Sequence, residues 1–209
     1  MTADNPHSRR SARRDQLRRP PQPLSAARLE ELALAYVARF ATTAAKLETY
    51  LKRKLRERGF DADVEGDGGG AGQAVAQALV ARFVAAGYVD DAGFARTRSE
   101  GLLRRGYGPR RVEQALRAAG VEDDVRADVA TGEGRARAAA LAMARRRGFG
   151  PFALGGKGAP APELRQKHLA ALVRAGHSFA HAQAVLDAPD EAAARDWVAQ
   201  GAGDDNEDF

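Results

Sequence analysis

Six residues written twice constrain this chain more than any other feature: Arg104-Arg105-Gly106-Tyr107-Gly108-Pro109 returns as Arg146-Arg147-Gly148-Phe149-Gly150-Pro151. Each copy follows an apolar, helix-forming run. A second signal recurs at helix ends: Leu51-x3-Leu55-x3-Gly59-Phe60, then Val112-x3-Leu116-x3-Gly120-Val121, and more weakly Leu164-x7-Leu172-x3-Gly176-His177. Apolar residues at i, i+4 lie on one helix face. A Gly just beyond them is a C-cap signal, because Gly enters the left-handed region without a Cβ clash. The pattern predicts helical units of one plan in tandem, an architecture that presents long binding surfaces rather than buried catalytic pockets.

Composition supports a binding protein. The 209 residues are 44% hydrophobic but only 6% aromatic, so a core resting on Ala is thin and must be shared between neighbouring units. The absence of Cys removes disulfides and thiolate metal sites and fits a reducing, cytoplasmic setting. No run approaches the ~20 apolar residues of a membrane span. A net charge of +5 favours polyanionic partners or an acidic protein surface.

The expected organisation is all-α. Residues 1–24 read as a disordered basic arm, with Arg9, Arg10, Arg13, Arg14, Arg18 and Arg19 ahead of Pro20-Pro21-Gln22-Pro23. A first three-helix repeat is expected over 25–88. Ser25 caps Ala26–Phe40, Thr42 or Thr43 caps the helix bearing Leu47, Leu51 and Leu55, and a Gly-rich loop spans Gly66–Gly72. A helix over Gln73–Ala86 follows, turning Val75, Leu79, Val80 and Phe83 inward. A second repeat is expected over 89–132. Asp90 or Asp91 caps its first helix, Pro109 opens its second, and a short acidic helix closes it near Glu122–Ala130. A third is expected over 133–188, with a loop inserted at Phe152–Pro162 and helices near Glu163–Ala175 and Ser178–Leu186. Residues 189–209 supply a last helix capped by Asp190 and an acidic tail.

At Phe83–Val121 the residues resemble a known family. Gly87-Tyr88-Val89-Asp90-Asp91-x2-Phe94-Ala95, then Arg104-Arg105-Gly106-Tyr107-Gly108, then Leu116-x3-Gly120-Val121, is similar to the bacterial regulatory protein RecX family. Ala35-Tyr36-x2-Arg39 with Leu47-x3-Leu51-x2-Lys54-Leu55-x3-Gly59-Phe60 resembles its first unit, and Arg146-Arg147-Gly148-Phe149 its third. The likeness extends over about residues 30–188. It implies three tandem three-helix repeats in an elongated, curved array. It also implies a modulator of the RecA recombinase in homologous recombination, DNA repair and the SOS response. Such a protein binds the groove of the RecA–DNA filament and inhibits its extension, recombinase and coprotease activities. The chain departs from the pattern at His177, which stands where unit one has Phe60, and in its two insertions.

The candidate contact residues to RecA or DNA are Lys52, Arg53 and Arg56 in unit one, Arg96, Arg98, Arg104, Arg105, Arg110, Arg111 and Arg117 in unit two, and Arg146 and Arg147 in unit three. Solvated helix faces usually mix signs, yet Ala92–Ala119 holds seven Arg against Glu100 and Glu113. The planar Arg fork suits phosphate and carboxylate alike, so single- and double-stranded DNA, bound weakly, and an acidic protein groove are all compatible with it. The rival class is an architectural DNA-binding protein that does not need RecA.

Catalysis finds no support. Asp90 and Asp91, being adjacent, diverge by ~100° on a helix and read as capping groups rather than an acid–base or metal dyad. Tyr36, Tyr88 and Tyr107 read as junction packing rather than base-stacking groups. His177 and His181 sit beside a helix-breaking Gly with no well-placed carboxylate in the sequence, and Gly66–Gly72 lacks the Lys-Ser/Thr end of a phosphate loop. The expected protein is a monomer that needs no metal or cofactor.

Overall fold

The computed structural model describes residues 22–63, 70–153 and 161–204. Among the described residues there are ten α-helices and no β-strand: α1 (Ala26–Val37), α2 (Ala44–Arg58), α3 (Gly70–Ala85), α4 (Asp91–Arg104), α5 (Pro109–Arg117), α6 (Asp123–Asp128), α7 (Glu133–Arg147), α8 (Pro162–Arg174), α9 (Phe179–Asp187) and α10 (Glu191–Asp204). Helices α1–α3, α4–α6 and α7–α9 are three consecutive three-helix repeats. The chain divides into two compact units, one built from the first repeat without residues 42–45, the other from those four residues and everything after Val89.

In the first unit, the Ser25 side chain caps α1 through the Arg28 amide, as its residue type predicts. The helix stops at Val37, short of Phe40. Leu29, Ala33, Leu47, Leu51, Leu79 and Phe83 are buried. Val75 and Val80 are only half-buried, and Gly72 and Ala76 take the inward positions on α3. The small residues are required there: a Cβ at Gly72 would lie 2.8 Å from that of Phe60. Gly70-Ala71-Gly72 is therefore the first turn of α3, not loop, and Asp63 Oδ1 accepts from the Gly72 amide at 2.9 Å. The rest of the predicted glycine loop, Gly66–Gly69, lies outside the described residues. Leu24, fully buried, forms an isolated parallel bridge with Phe60: its amide donates to the Gly59 carbonyl at 3.0 Å and its carbonyl accepts from Asp61 at 3.1 Å. Arg58 fastens the same segment by two bonds to the Gln22 carbonyl. The end of the sequence's basic arm is thus folded against repeat one.

In the second unit, Ala95, Leu102, Leu103, Val112, Leu116, Val121 and Ala139 form one core, and Ala140, Met143, Phe149, Leu172, Val185 and Leu186 form another. Tyr107 packs against both, so the repeated Gly-aromatic motif joins the cores as the thin composition requires. Of the adjacent pair Asp90 and Asp91, one caps the helix as the sequence predicts and the other is used elsewhere. Asp90 caps α4 through the Gly93 amide at 2.8 Å. Asp91 instead accepts at 2.9 Å from the amide of Ala44, the first residue of α2. The Thr43 hydroxyl donates at 2.6 Å to the Ala119 carbonyl. Asp190 caps α10 as predicted, and that helix runs past Trp197 to Asp204. It packs antiparallel on α7: Glu191 meets Arg145, while Arg137 reaches the Trp197 carbonyl at 3.0 Å and its ring at 5.4 Å. The insertion at Phe152–Pro162 is described only at its two ends. Tail residues 205–209, like arm residues 1–21, lie outside the described residues.

Candidate binding surface

The repeated motif positions the basic residues. Gly59, Gly106, Gly120 and Gly148 all have positive φ, between 67° and 78°, so each helix end bearing an Arg cluster closes in the same way. At Gly106 the need is steric as well, since a Cβ would lie 2.8 Å from the Met143 backbone nitrogen. The turn between α4 and α5 then docks on the turn between α8 and α9. The Gly108 amide donates to the Ala175 carbonyl at 2.9 Å and the Arg110 amide to the Gly176 carbonyl at 3.1 Å. His177, fully buried, closes the junction with Nε2 3.0 Å from the Gly106 carbonyl. Because a carbonyl only accepts, Nε2 is the protonated nitrogen, and buried Nδ1 has no partner. Burial lowers the pKa of His177 and outweighs the opposing effect of its bond to Gly106; nearby His181 lowers it further.

The candidate cations divide by what they already touch. Lys52 pairs with Glu48 at 2.7 Å. Arg53 lies 3.9 Å from Glu57 and over the Tyr50 ring. Arg117 pairs with Glu113 at 3.3 Å. Arg105 is turned back onto the Gly101 carbonyl at 2.9 Å and over Tyr107, and Arg111 bonds Gln114 at 2.8 Å. By contrast Arg56, Arg96, Arg98, Arg104, Arg110, Arg146 and Arg147 are exposed and form no ion pair among the described residues. Arg174, absent from the sequence-derived set, belongs with them. No periodicity marks it; only the packing brings its turn against the α5 arginines.

Other charged groups are structural. Arg126, 9% exposed, bonds Glu113, Asp123 and the Val121 carbonyl and locks α6 to α5. Its Asp123 partner at i−3 was visible in the sequence, but its burial was not. Glu133 approaches His181 Nε2 at 3.0 Å, so this histidine does have a carboxylate, one delivered from another helix. Burial alone would raise Glu133, but hydrogen bonds from Arg137 and His181 hold it below the usual carboxylate range. Among the described residues no three His, Asp or Glu side chains are placed to hold a metal ion, and no helix is long and apolar enough to cross a membrane. Of the tyrosines, Tyr36 stacks on Tyr50 at 4.3 Å and Tyr107 packs between cores, whereas Tyr88 is exposed beside Phe83.

Comparison with known proteins agrees with this architecture. The family model described as "RecX, second three-helix domain" matches residues 90–129, from the Asp90 cap through α6. The crystal structure of RecX from Lactobacillus salivarius superposes with a TM-score of 0.57, covering 78% of this chain and 96% of that one at 14% identity, a likeness of fold. Regulatory protein RecX of Mycobacterium sp. (strain JLS) is 35% identical over 133 residues, 61% of this chain and 66% of that protein. Regulatory protein RecX of Myxococcus xanthus is 36% identical over 172 residues, 80% of this chain and 88% of that protein. With that identity over four-fifths of its length, this chain belongs to the RecX family.

Proposed function

We propose that the chain is a non-enzymatic modulator of the RecA recombinase that binds the groove of the RecA–DNA filament. It inhibits filament extension, recombinase activity and coprotease activity, and so acts in recombinational DNA repair and the SOS response. The observation that carries this reading is the set of exposed arginines that form no ion pair among the described residues, whereas Lys52, Arg53, Arg117, Arg126 and Arg137 are already matched to carboxylates. Arg104, Arg110, Arg146 and Arg147 flank two copies of one motif, so a ligand with repeating acidic groups meets them in series, and several weak contacts add through effective concentration. The boundaries 25–88, 89–132 and 133–188 mark the three repeats in this reading, and the protein acts as a cytoplasmic monomer.

A non-enzymatic role is consistent with the groove between α5 and α6. It encloses about 520 Å³, and its two carboxylates, Glu113 and Asp123, are both paired with Arg126, while Arg110 and Thr131 complete the polar lining. A groove whose carboxylates are held by an arginine suits an interaction surface better than acid–base chemistry.

The deciding measurement is RecA ATP hydrolysis on single-stranded DNA, with this protein added at far fewer copies than RecA. A modulator that acts on the filament inhibits at that ratio. A protein that merely covers DNA inhibits only when it approaches saturation of the lattice, and that outcome would replace the proposal with the RecA-independent DNA-binding reading.

A further inference from the structure

The α8–α9 turn, which docks on the start of α5, carries an exposed aromatic ring. Phe179, the first residue of α9, is 61% exposed, the most open large hydrophobic side chain among the described residues. Its backbone is fixed, because Ser178 caps α9 through the His181 amide at 3.0 Å. Gly176, three residues earlier, is in contact with a different repeat: it accepts from the Arg110 amide at 3.1 Å, and a Cβ there would stand 2.5 Å from the Arg111 nitrogen. At ~3.8 Å between successive Cα atoms, Phe179 lies within about 11 Å of that contact and Arg174 within about 8 Å. Arg110, Arg111 and Arg174 are all exposed.

Carboxylates of the same helices are engaged elsewhere. Glu113 is held by Arg117 and Arg126 on α5, and Asp187 at the end of α9 by Arg165 at 2.6 Å. Arg110 and Arg174 form no ion pair among the described residues, and the Arg111 guanidinium bonds the neutral Gln114. An exposed aromatic ring in the turn that docks on the start of α5, with Arg110, Arg111 and Arg174 exposed near the same contact, fits a ligand that carries both flat rings and negative charges.

We infer that this junction is a binding platform for single-stranded nucleic acid, in which Phe179 stacks an unpaired base while Arg110, Arg111 and Arg174 hold the adjoining phosphates. A duplex satisfies the arginines alone, because its bases are already stacked on one another, so the platform prefers single strands. The inference deepens the nucleic-acid side of the proposed function. Its test omits RecA, so the two readings fail separately.

The test is fluorescence anisotropy with a labelled 15-mer of thymidine, an abasic strand of equal length and a 15-base-pair duplex. The wild-type chain is compared with F179A, F179W and the triple variant R110A/R111A/R174A, each checked for helicity by circular dichroism. F179A should weaken thymidine-strand binding by about fivefold or more and duplex binding by less than about twofold, and F179W should retain the wild-type affinity. The triple variant should weaken both and reduce the single-strand salt slope by about 2, reflecting three lost phosphate contacts at ~0.7 each. Failure of the wild-type chain to bind the thymidine strand, equal affinity for the abasic strand, or an unchanged or duplex-equal effect of F179A would overturn the inference.

Discussion

The His177 imidazole and the Gly106 carbonyl, 71 residues apart in sequence, are joined by a 3.0 Å hydrogen bond inside the junction of the second and third repeats. Its acceptor requires a proton on Nε2, and the other ring nitrogen faces no partner. A second proton would put an unpaired donor and a charge into the interior.

This arrangement predicts acid sensitivity. The pKa of His177 is lowered in the fold from its ordinary 6.5, so the unfolded chain binds the proton more readily. The associated stability is full above pH 6.5 and is lost as pH falls from there toward the depressed folded value. Burial lowers His168 in the same direction, so the effects add. Urea midpoints measured from pH 8 to pH 5 should fall. In H177F the fall should be smaller, although loss of the bond costs about 1 kcal/mol at pH 7. An unchanged pH profile in H177F would assign the acid sensitivity elsewhere.

The Thr43–Ala119 bond gives a second prediction. Both residues are buried, and T43V keeps the volume while removing the hydroxyl. It leaves the Ala119 carbonyl without that donor and should cost about 1–3 kcal/mol by urea denaturation. T43S should recover part of the loss.

Glycines of one chain should respond with opposite signs. A Cβ at Gly108 would overlap the Gly176 carbonyl, so G108A should destabilise by at least about 1–3 kcal/mol. At Gly101, in the interior of α4, a Cβ meets nothing within 4 Å. G101A should therefore stabilise by about 0.5–1 kcal/mol. Thermal melts of the two variants check both signs.

The working surface is tested by reversing Arg104, Arg105, Arg110 and Arg111 to Glu. These side chains are exposed, and surface charges contribute little to stability, so the circular dichroism spectrum should be retained. Inhibition of RecA-promoted strand exchange should fall and lose its salt dependence. Arg105 should matter least of the four, because its guanidinium already bonds the Gly101 carbonyl. Full inhibition by the folded variant would move the contact surface to another basic face.

The sequence alone determined the helices, their order and the stops marked by Gly, while the ends of α1 and α10 fell elsewhere than it indicated. Hydrophobic periodicity, Ser25, Asp90, Ser178 and Asp190 as caps, Pro109 at a first turn and Gly at helix ends are local signals, satisfied within a few residues of where they are read. The repeated motif likewise exposed the tandem plan and led to the RecX family. Tertiary structure decided what those elements do to one another. It sent Asp91 to the amide of Ala44 and Thr43 to Ala119, gave His181 a carboxylate from α7, and put Leu24 against Phe60. It also sorted the arginines, burying Arg126, pairing Arg117, and leaving Arg110 and Arg174 without ion pairs among the described residues. Such outcomes have no local signal. An ion pair forms where two distant backbones place opposite charges within ~4 Å, and that distance is set by how Gly and Ala let neighbouring turns approach.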